Sequence, residues 1–509
     1  MASPDPHGPG VSRRGFLAGA GALALGATAT TTATACTEDR SSSSAPSVTG
    51  VVERPDAGAA RRVVVIGAGL AGLTAAHAVR DAGWDVVVLE ARDRVGGRVH
   101  TFRDAAGGGP FDTGLHAEAG GESIDDNHDQ IQALLRRFGI ATERRPDGRD
   151  LNGLVRYQGR TYPTADFVAL RGGAVGRDYF RVDTELQRLA EVHRVDPEHP
   201  DLADDAVALD RRTLAEFLDS LQLVAEARFL AEQSNVSLYA SELKDLSLLF
   251  VAAQTAVLAG VPDGSAETMR ITGGNDTLPT AMAQALGAAV ITASPVEAIT
   301  RRGDALAVSA SGRTFHCAHV VVAVPPSPLR SVRFDPPLPS ALQAAIEGLD
   351  LGAATKVVNQ YRSASWRQDG RSGLTVADLT YRVSWDAADS YVAPAELLTT
   401  FTTADNGRAL AALSDADRVA AVRVQLDQVR AGSSAELSGP SATMAWSEET
   451  LTGGGYAAFK PGQLSAYWGP LRAGTDRIHF AGEHTESLSG YMESAVRSGA
   501  RAAAAVGAA

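Results

Sequence analysis

Cysteine is nearly absent from this chain: of 509 residues only Cys36 and Cys317 carry thiols. Two thiols make neither a disulfide framework nor a thiolate metal cluster, so stability has to come from packing and no metal site is expected. Positive charge is scarce too. Lys and Arg number 47 against 60 Asp and Glu, a formal net charge of −13, which excludes a surface built for a phosphate backbone and with it nucleic acid as a partner. No repeat array is present. What remains is a globular composition, 44% hydrophobic and 21% charged. The length suits about three domains at roughly 150 residues each, and disordered and fibrous classes are excluded.

The amino terminus has a character of its own. Residues 12–18 read Ser-Arg-Arg-Gly-Phe-Leu-Ala, and an uncharged stretch rich in Ala, Gly and Thr follows as far as Ala35. Its apolar part, residues 16–29, is short and weakly hydrophobic, as in a signal peptide rather than a membrane span. The segment resembles a twin-arginine export signal. That resemblance implies the export machinery as a partner, an extracellular or cell-envelope location, and no contribution of residues 1–35 to the fold. Ala33-Thr34-Ala35-Cys36 resembles a lipoprotein cleavage box, with Ala where Leu is usual. A lipid anchor at Cys36 and a soluble exported protein cut nearby are both open. Residues 36–60, dominated by Ser, Pro, Gly and Ala, read as a flexible linker.

The folded part opens with Val63-Val64-Val65-Ile66, a β-branched run suited to a strand covered on both faces of a parallel sheet. Gly67-Ala68-Gly69-Leu70-Ala71-Gly72 follows with GxGxxG spacing, then a helix expected over 73–82, a second strand over 85–89, and Glu90, 18 residues past Gly72. Each residue type has a physical reason. Gly67 permits the tight turn, Gly69 lets backbone approach a pyrophosphate, and Gly72 lets the helix pack on the sheet. The helix N-terminus, with Leu70 and Ala71, faces the phosphates, and Glu90 accepts from the adenosine ribose, with Ala91 and Arg92 beside it.

Ala91 to Val99 contains Gly96-Gly97-Arg98 and resembles the GGR segment of the flavin amine oxidase superfamily. The resemblance implies that Arg98 contacts the FAD pyrophosphate. His116 to Ile124 is similar to the family's next loop beside the flavin ring, which makes Gly120, Gly121, Glu122 and Ser123 candidate contacts. Met269 to Asp276 resembles a second FAD segment, and Val296 matches the valine whose backbone holds the adenine. Strands are expected at 289–292 and 305–310, a helix at 277–286, and one buried strand across 315–324 with Cys317 as core. Residues 125–265 have helical periodicity, exemplified by Ile131, Leu134, Leu135 and Phe138. Residues 330–440 mix strands, at 356–361 and 396–403, with a helix at 415–431.

The expected architecture is α/β (α+β). A discontinuous Rossmann-like FAD domain is assembled from 61–124, 266–329 and 441–509, with a helical substrate-access region over 125–265 and a substrate-binding sheet domain over 330–440. In the family, a lysine matching Lys356, with Trp366 ten residues later, bonds a water that bridges to flavin N5. An ammonium near a developing anion is favourable in a dry site. Residues 451–462, including Gly453-Gly454-Gly455-Tyr456, resemble the monoamine oxidase loop that carries the flavin-linking cysteine and a cage tyrosine. Gly455 takes the cysteine position, which implies non-covalent FAD, and Tyr456 takes the tyrosine position. Gly482-Glu483 and Tyr491-Met492 resemble the ending of those enzymes. This implies Glu483 on the ribityl or phosphate side, Tyr491 facing the ring and Met492 donating a backbone N–H. Two aromatic rings before a flavin suit an amine nitrogen.

The resemblance implies oxidation of a primary or secondary amine to an imine, hydrolysed to aldehyde and ammonia, with dioxygen reduced to hydrogen peroxide. Four alternatives stand, one of them a dehydrogenase with an acceptor other than oxygen. An L-amino-acid oxidase needs a cation for the carboxylate, and the place its arginine takes in that family holds Ser123 here, with Arg156 a substitute from the insert. A polyamine oxidase needs a distant carboxylate, for which Glu122 and Asp125 are available. A non-catalytic FAD-binding lipoprotein is the reading from another class.

Overall fold

The computed structural model describes residues 59–145, 152–259, 267–388 and 395–508. The expected export signal, Cys36 and nearly all of the expected linker lie outside the described residues. Among the described residues, no helix is long and apolar enough to cross a membrane.

Val63, Val64 and Val65 are fully buried, as a β-branched strand covered on both faces must be. Their strand, Arg62–Ile66, is the centre of a five-stranded parallel sheet flanked by Asp85–Leu89 and Val290–Ile291 on one side and His319–Val322 and Ile478–Phe480 on the other. Helices Leu70–Asp81 and Met492–Ala508 pack together against it. The first helix begins at Leu70, three residues before the sequence placed it. Gly69 is already its N-cap, and the Leu73 N–H bonds the Gly69 carbonyl, so the first turn is built inside the glycine motif.

The run 315–324, expected as one strand, is two. Arg313–Cys317 closes a hairpin in a four-stranded sheet, and His319–Val322 enters the parallel sheet. Arg313–Cys317 is exposed at Arg313 and Thr314 and alternates from there, whereas His319–Val322 is buried throughout; apolar residues run on across Ala318, so the sequence reads as one strand. Cys317 is fully buried.

A seven-stranded mixed sheet forms the second wall. Its order is Leu437–Ala445, Ala354–Tyr361, Glu396–Thr403, Val383–Asp386, Thr375–Ala377, Leu154–Tyr157, Arg160–Pro163. The last two come from the region expected to be helical. They form a hairpin turning at Gln158-Gly159, both at positive φ, a two-residue turn that sequence signals based on Asn-Gly do not mark. Thr142–Arg144 is a further short strand, paired with Met269–Ile271, and the main helices among the described residues of that region are Thr164–Val192, broken at Leu170 to Gly173, Ala225–Tyr239 and Leu248–Leu258. Strand Leu437–Ala445 runs across position 440.

Every residue of Ala354–Tyr361 is buried. The pleat sends Val357 and Tyr361 into a cluster with Val422, Leu426 and Val429 of helix Asp415–Val429. Ala354 and Lys356 point the other way, toward the parallel sheet. A lysine is thereby placed in a fully buried strand.

Candidate functional site

Where the carboxyl ends of the parallel strands meet the seven-stranded sheet lies a cavity of about 420 Å³. Open parallel sheets bind ligands at this place. Every residue named from the sequence as cofactor-binding or catalytic lines it except Gly72. Gly72 is a packing residue: a Cβ there would stand 1.9 Å from the Gly67 carbonyl oxygen.

At the dinucleotide end, Gly67 adopts φ +99, and a Cβ on it would lie 2.8 Å from the Ala323 carbonyl oxygen. Gly69 differs, with nothing nearer than 3.9 Å to a built Cβ; its openness faces the cavity and admits a ligand to the backbone. The helix beginning at Leu70 has no side-chain cap and no acid in its first turn, so its N–H groups remain for an anion. Buried Glu90 accepts from the N–H of Ala68 at 2.7 Å and of Arg92 at 2.9 Å, which fixes its carboxylate at the end of the second strand. Val296 begins a strand at the same end. This cradle fits an FAD diphosphate and ribose.

Among the described residues, no thiol or imidazole lines the cavity. A Cβ at Gly455 would lie 2.8 Å from the Ala354 Cβ, so this loop is shaped around the absence of a side chain. FAD is held without a covalent bond.

At the other end, Lys356 Nζ donates to the carbonyls of Glu118 and Gly120, each at 3.0 Å, and to Glu122 Oε2 at 2.8 Å. Glu122 also accepts from Arg270 and from Trp385 Nε1 at 2.7 Å. Burial alone would raise the Glu122 carboxyl; the charges of Lys356, Arg270 and Arg145 overcome it and hold it at about 2. Glu118 has no such cation. Burial pushes it up to about 8 even though it accepts from the Asn275 N–H and Thr101 Oγ1.

Glu483 organises the tyrosine loops. Its carboxylate meets Arg98 at 2.6 Å and accepts from the N–H of Ala457 and Gly490 and from Ser489 Oγ. Arg98 also bonds the Gly455 carbonyl at 2.8 Å. The Tyr456 hydroxyl donates to the Ser237 carbonyl at 2.7 Å, and burial raises its pKa. A Cβ on Gly490 would stand 3.3 Å from the Tyr456 ring, so the loop leading to Tyr491 rests on that ring. His128 meets Tyr491 edge-on at 5.5 Å, and Met492 packs on Gly121.

Two readings change. Trp366, expected with Lys356, does not line the cavity; it packs on Tyr361 and donates to Asp386. The tryptophan beside Lys356 is Trp385, whose ring centroid lies 5.3 Å from Nζ. Arg156 bonds the Gln428 carbonyl away from the cavity. Arg145 lines it instead, within 3.3 Å of Ser123 Oγ. Ser237 also lines it, and its buried hydroxyl has no hydrogen-bond partner among the described residues. Arg270, in strand Met269–Ile271, lies within the segment Met269 to Asp276 that resembles a second FAD segment, and a charge flanked by apolar residues in a short strand is its signal.

Residues 70–507 match the family described as flavin containing amine oxidoreductase. A flavin-containing amine oxidase of Oncorhynchus mykiss is 30% identical over 458 residues, 87% of this chain and 84% of that one. An L-amino-acid oxidase of Siganus canaliculatus is 27% identical, covering 88% and 86%. The solved structure of wild-type putrescine oxidase bound to putrescine superposes with a TM-score of 0.78 at 26% identity, covering 88% and 99%. With a cradle that fits FAD and a family match over nearly the whole folded part, the chain belongs to the flavin-containing amine oxidoreductases and is an FAD-dependent enzyme.

Proposed function

We propose that the protein is an exported oxidase that takes a primary or secondary amine, water and dioxygen to an aldehyde, ammonia or the smaller amine, and hydrogen peroxide. One observation carries the reading: Tyr456 and Tyr491 line one chamber with Lys356, on loops held by a single carboxylate, Glu483. FAD, which Gly67, Gly69, Glu90 and Arg98 would hold, would supply an acceptor for the two electrons and their route to dioxygen. The chain's own part is to exclude water and orient the nitrogen. Tyr456, Tyr491, Trp385 and Phe401 give the chamber aromatic walls, and a neutral amine packs against such faces with its lone pair retained. The test is peroxide release across an amine panel. Release with aliphatic or aryl amines is expected; none with any amine or amino acid defeats the reading.

A second reading, oxidation of an L-amino acid, is favoured by Arg145, a buried guanidinium in the chamber beside Ser123. An arginine suits a carboxylate. Amino acids in the same panel separate the two, and Arg145→Gln removes turnover of carboxylated substrates alone if that reading holds.

Export rests on Arg13-Arg14 and the short apolar run after them. Cell fractionation with Arg13→Lys/Arg14→Lys tests it, the expected outcome being retention in the cytoplasm. Lipid at Cys36 is tested by mass spectrometry of the mature amino terminus.

A further inference from the structure

Lys356 and Glu122 are 234 positions apart and meet at 2.8 Å. An ammonium has three N–H donors, and those of Lys356 go to the Glu118 carbonyl, the Gly120 carbonyl and the Glu122 carboxylate. A water reaching from this ammonium to a flavin would have to displace one of them. Glu122 is in turn held from two further strands, by Trp385 of Val383–Asp386 and Arg270 of Met269–Ile271. Arg270 is anchored on the Ala387 carbonyl at 2.7 Å. One carboxylate therefore sits between two buried cations, and the aromatic face of Trp385 lies along the ammonium.

The charged and titratable groups facing Lys356 come from three directions. Glu122 lies on the loop around the glycines, Arg270 on its short strand, and Arg145 acts through its charge on Glu122; Glu118 offers Lys356 its backbone carbonyl and turns its carboxyl to Asn275 and Thr101. Burial keeps Glu118 protonated at neutral pH, so Glu122 is the anion that balances Lys356.

We propose that Glu122 is the positioning residue for Lys356: it fixes the ammonium on the chamber wall and keeps it charged, so that the wall carries a permanent positive charge aimed at the flavin. This rests on the reading of Lys356 as flavin-facing. A fixed charge reorganises less than a mobile water when negative charge develops, which is where electrostatic catalysis gains. Without Glu122, two buried cations face each other, and the lysine, the one able to lose its proton, does so at lower pH.

The experiment measures the reduction potential of the bound FAD against pH, by equilibration with a redox dye. No amine is needed, so a wrong substrate assignment leaves the result intact. In Glu122→Gln an added ionisation is expected between about pH 6 and 9, absent from the unsubstituted protein and from Glu122→Gln/Lys356→Met. Glu122→Asp keeps the charge but draws it back by one methylene; the same ionisation should appear at higher pH than in Glu122→Gln. With a substrate in hand, flavin reduction should fall roughly 10- to 100-fold in Glu122→Gln and no further in the double variant. A Glu122→Gln profile parallel to that of the unsubstituted protein, or losses from Glu122→Gln and Lys356→Met that add, overturns the proposal. Should Glu122→Gln fail to retain FAD, Glu122→Asp decides, and a profile identical to that of the unsubstituted protein overturns it.

Discussion

Arg98 and Glu483, 385 positions apart, meet at 2.6 Å, and the carboxylate of that pair reaches further into the chain. It accepts from the N–H of Ala457 at 3.1 Å and of Gly490 at 2.9 Å, the immediate neighbours of Tyr456 and Tyr491. A single anion thus ties the GGR loop to both tyrosine loops. Its own burial would raise its pKa, and Arg98 holds it down.

Glu483→Gln removes that charge and leaves Arg98 unpaired in a mostly buried setting. Breaking a buried pair by removing one partner costs about 3 kcal/mol. Thermal melting should show the loss, and FAD titration of the apoprotein should show affinity weaker by roughly 10-fold or more. Unchanged affinity would mean that the tyrosine loops hold their places without this carboxylate.

Tyr456 contributes a ring and a hydroxyl, and the two separate by substitution. Tyr456→Phe loses the bond to the Ser237 carbonyl, worth about 1 kcal/mol of stability, and keeps the wall, so kcat/KM should stay within several-fold. Tyr456→Ala removes the wall, and kcat/KM should fall at least ~10-fold, a loss of about 1.4 kcal/mol of transition-state stabilisation. Equal effects of the two substitutions would place the function in the hydroxyl.

Burial lowers four imidazoles, His116, His128, His479 and His484, from 6.5 to about 4. In the unfolded chain they take up protons near pH 6.5, and in the folded chain only near 4. Acid therefore supplies the unfolded state first. Stability from this source is complete above about 6.5, falls between 6.5 and 4, and levels below. Urea midpoints across that range check it, and a midpoint flat from pH 7 to 4 contradicts it.

Glu118 works in the opposite sense. Burial raises its carboxyl from 4.5 to about 8, so the unfolded chain releases this proton at lower pH than the folded one. The stability this group contributes is present below 4.5 and lost as pH rises through 8. Glu118→Gln has the shape of the protonated acid and its hydrogen-bonding pattern toward the Asn275 N–H and Thr101 Oγ1. It should be near neutral at pH 4.5 and stabilising by about 4 kcal/mol at pH 8, read from denaturant midpoints at the two pH values.

Local rules made much of the molecule legible. Strands Asp85–Leu89, Ala305–Ala310 and Glu396–Thr403 stand where local sequence signals put them, and helix Thr277–Leu286 where the resemblance to a second FAD segment put it. Turn chemistry and β-branching act over a few residues, so a sequence window contains their causes. The run 315–324 changes sheet at Ala318, where a half-exposed strand gives way to a fully buried one, and a short window does not separate that change from a single strand becoming covered on both faces.

The amino-acid order alone determined the nucleotide cradle, since a tight turn, a close backbone approach and a capped strand each demand a residue type at a fixed spacing, as Gly67, Gly69, Gly72 and Glu90 meet. Only the tertiary structure decided that Trp385, not Trp366, lies along Lys356, that Arg145, not Arg156, enters the chamber, and that Glu122 stands between Lys356 and Arg270. Those choices depend on which strands become neighbours in a mixed sheet. Pairing of segments separated by 148 or 234 positions is settled by burial of the whole core, not by any property of the segments themselves.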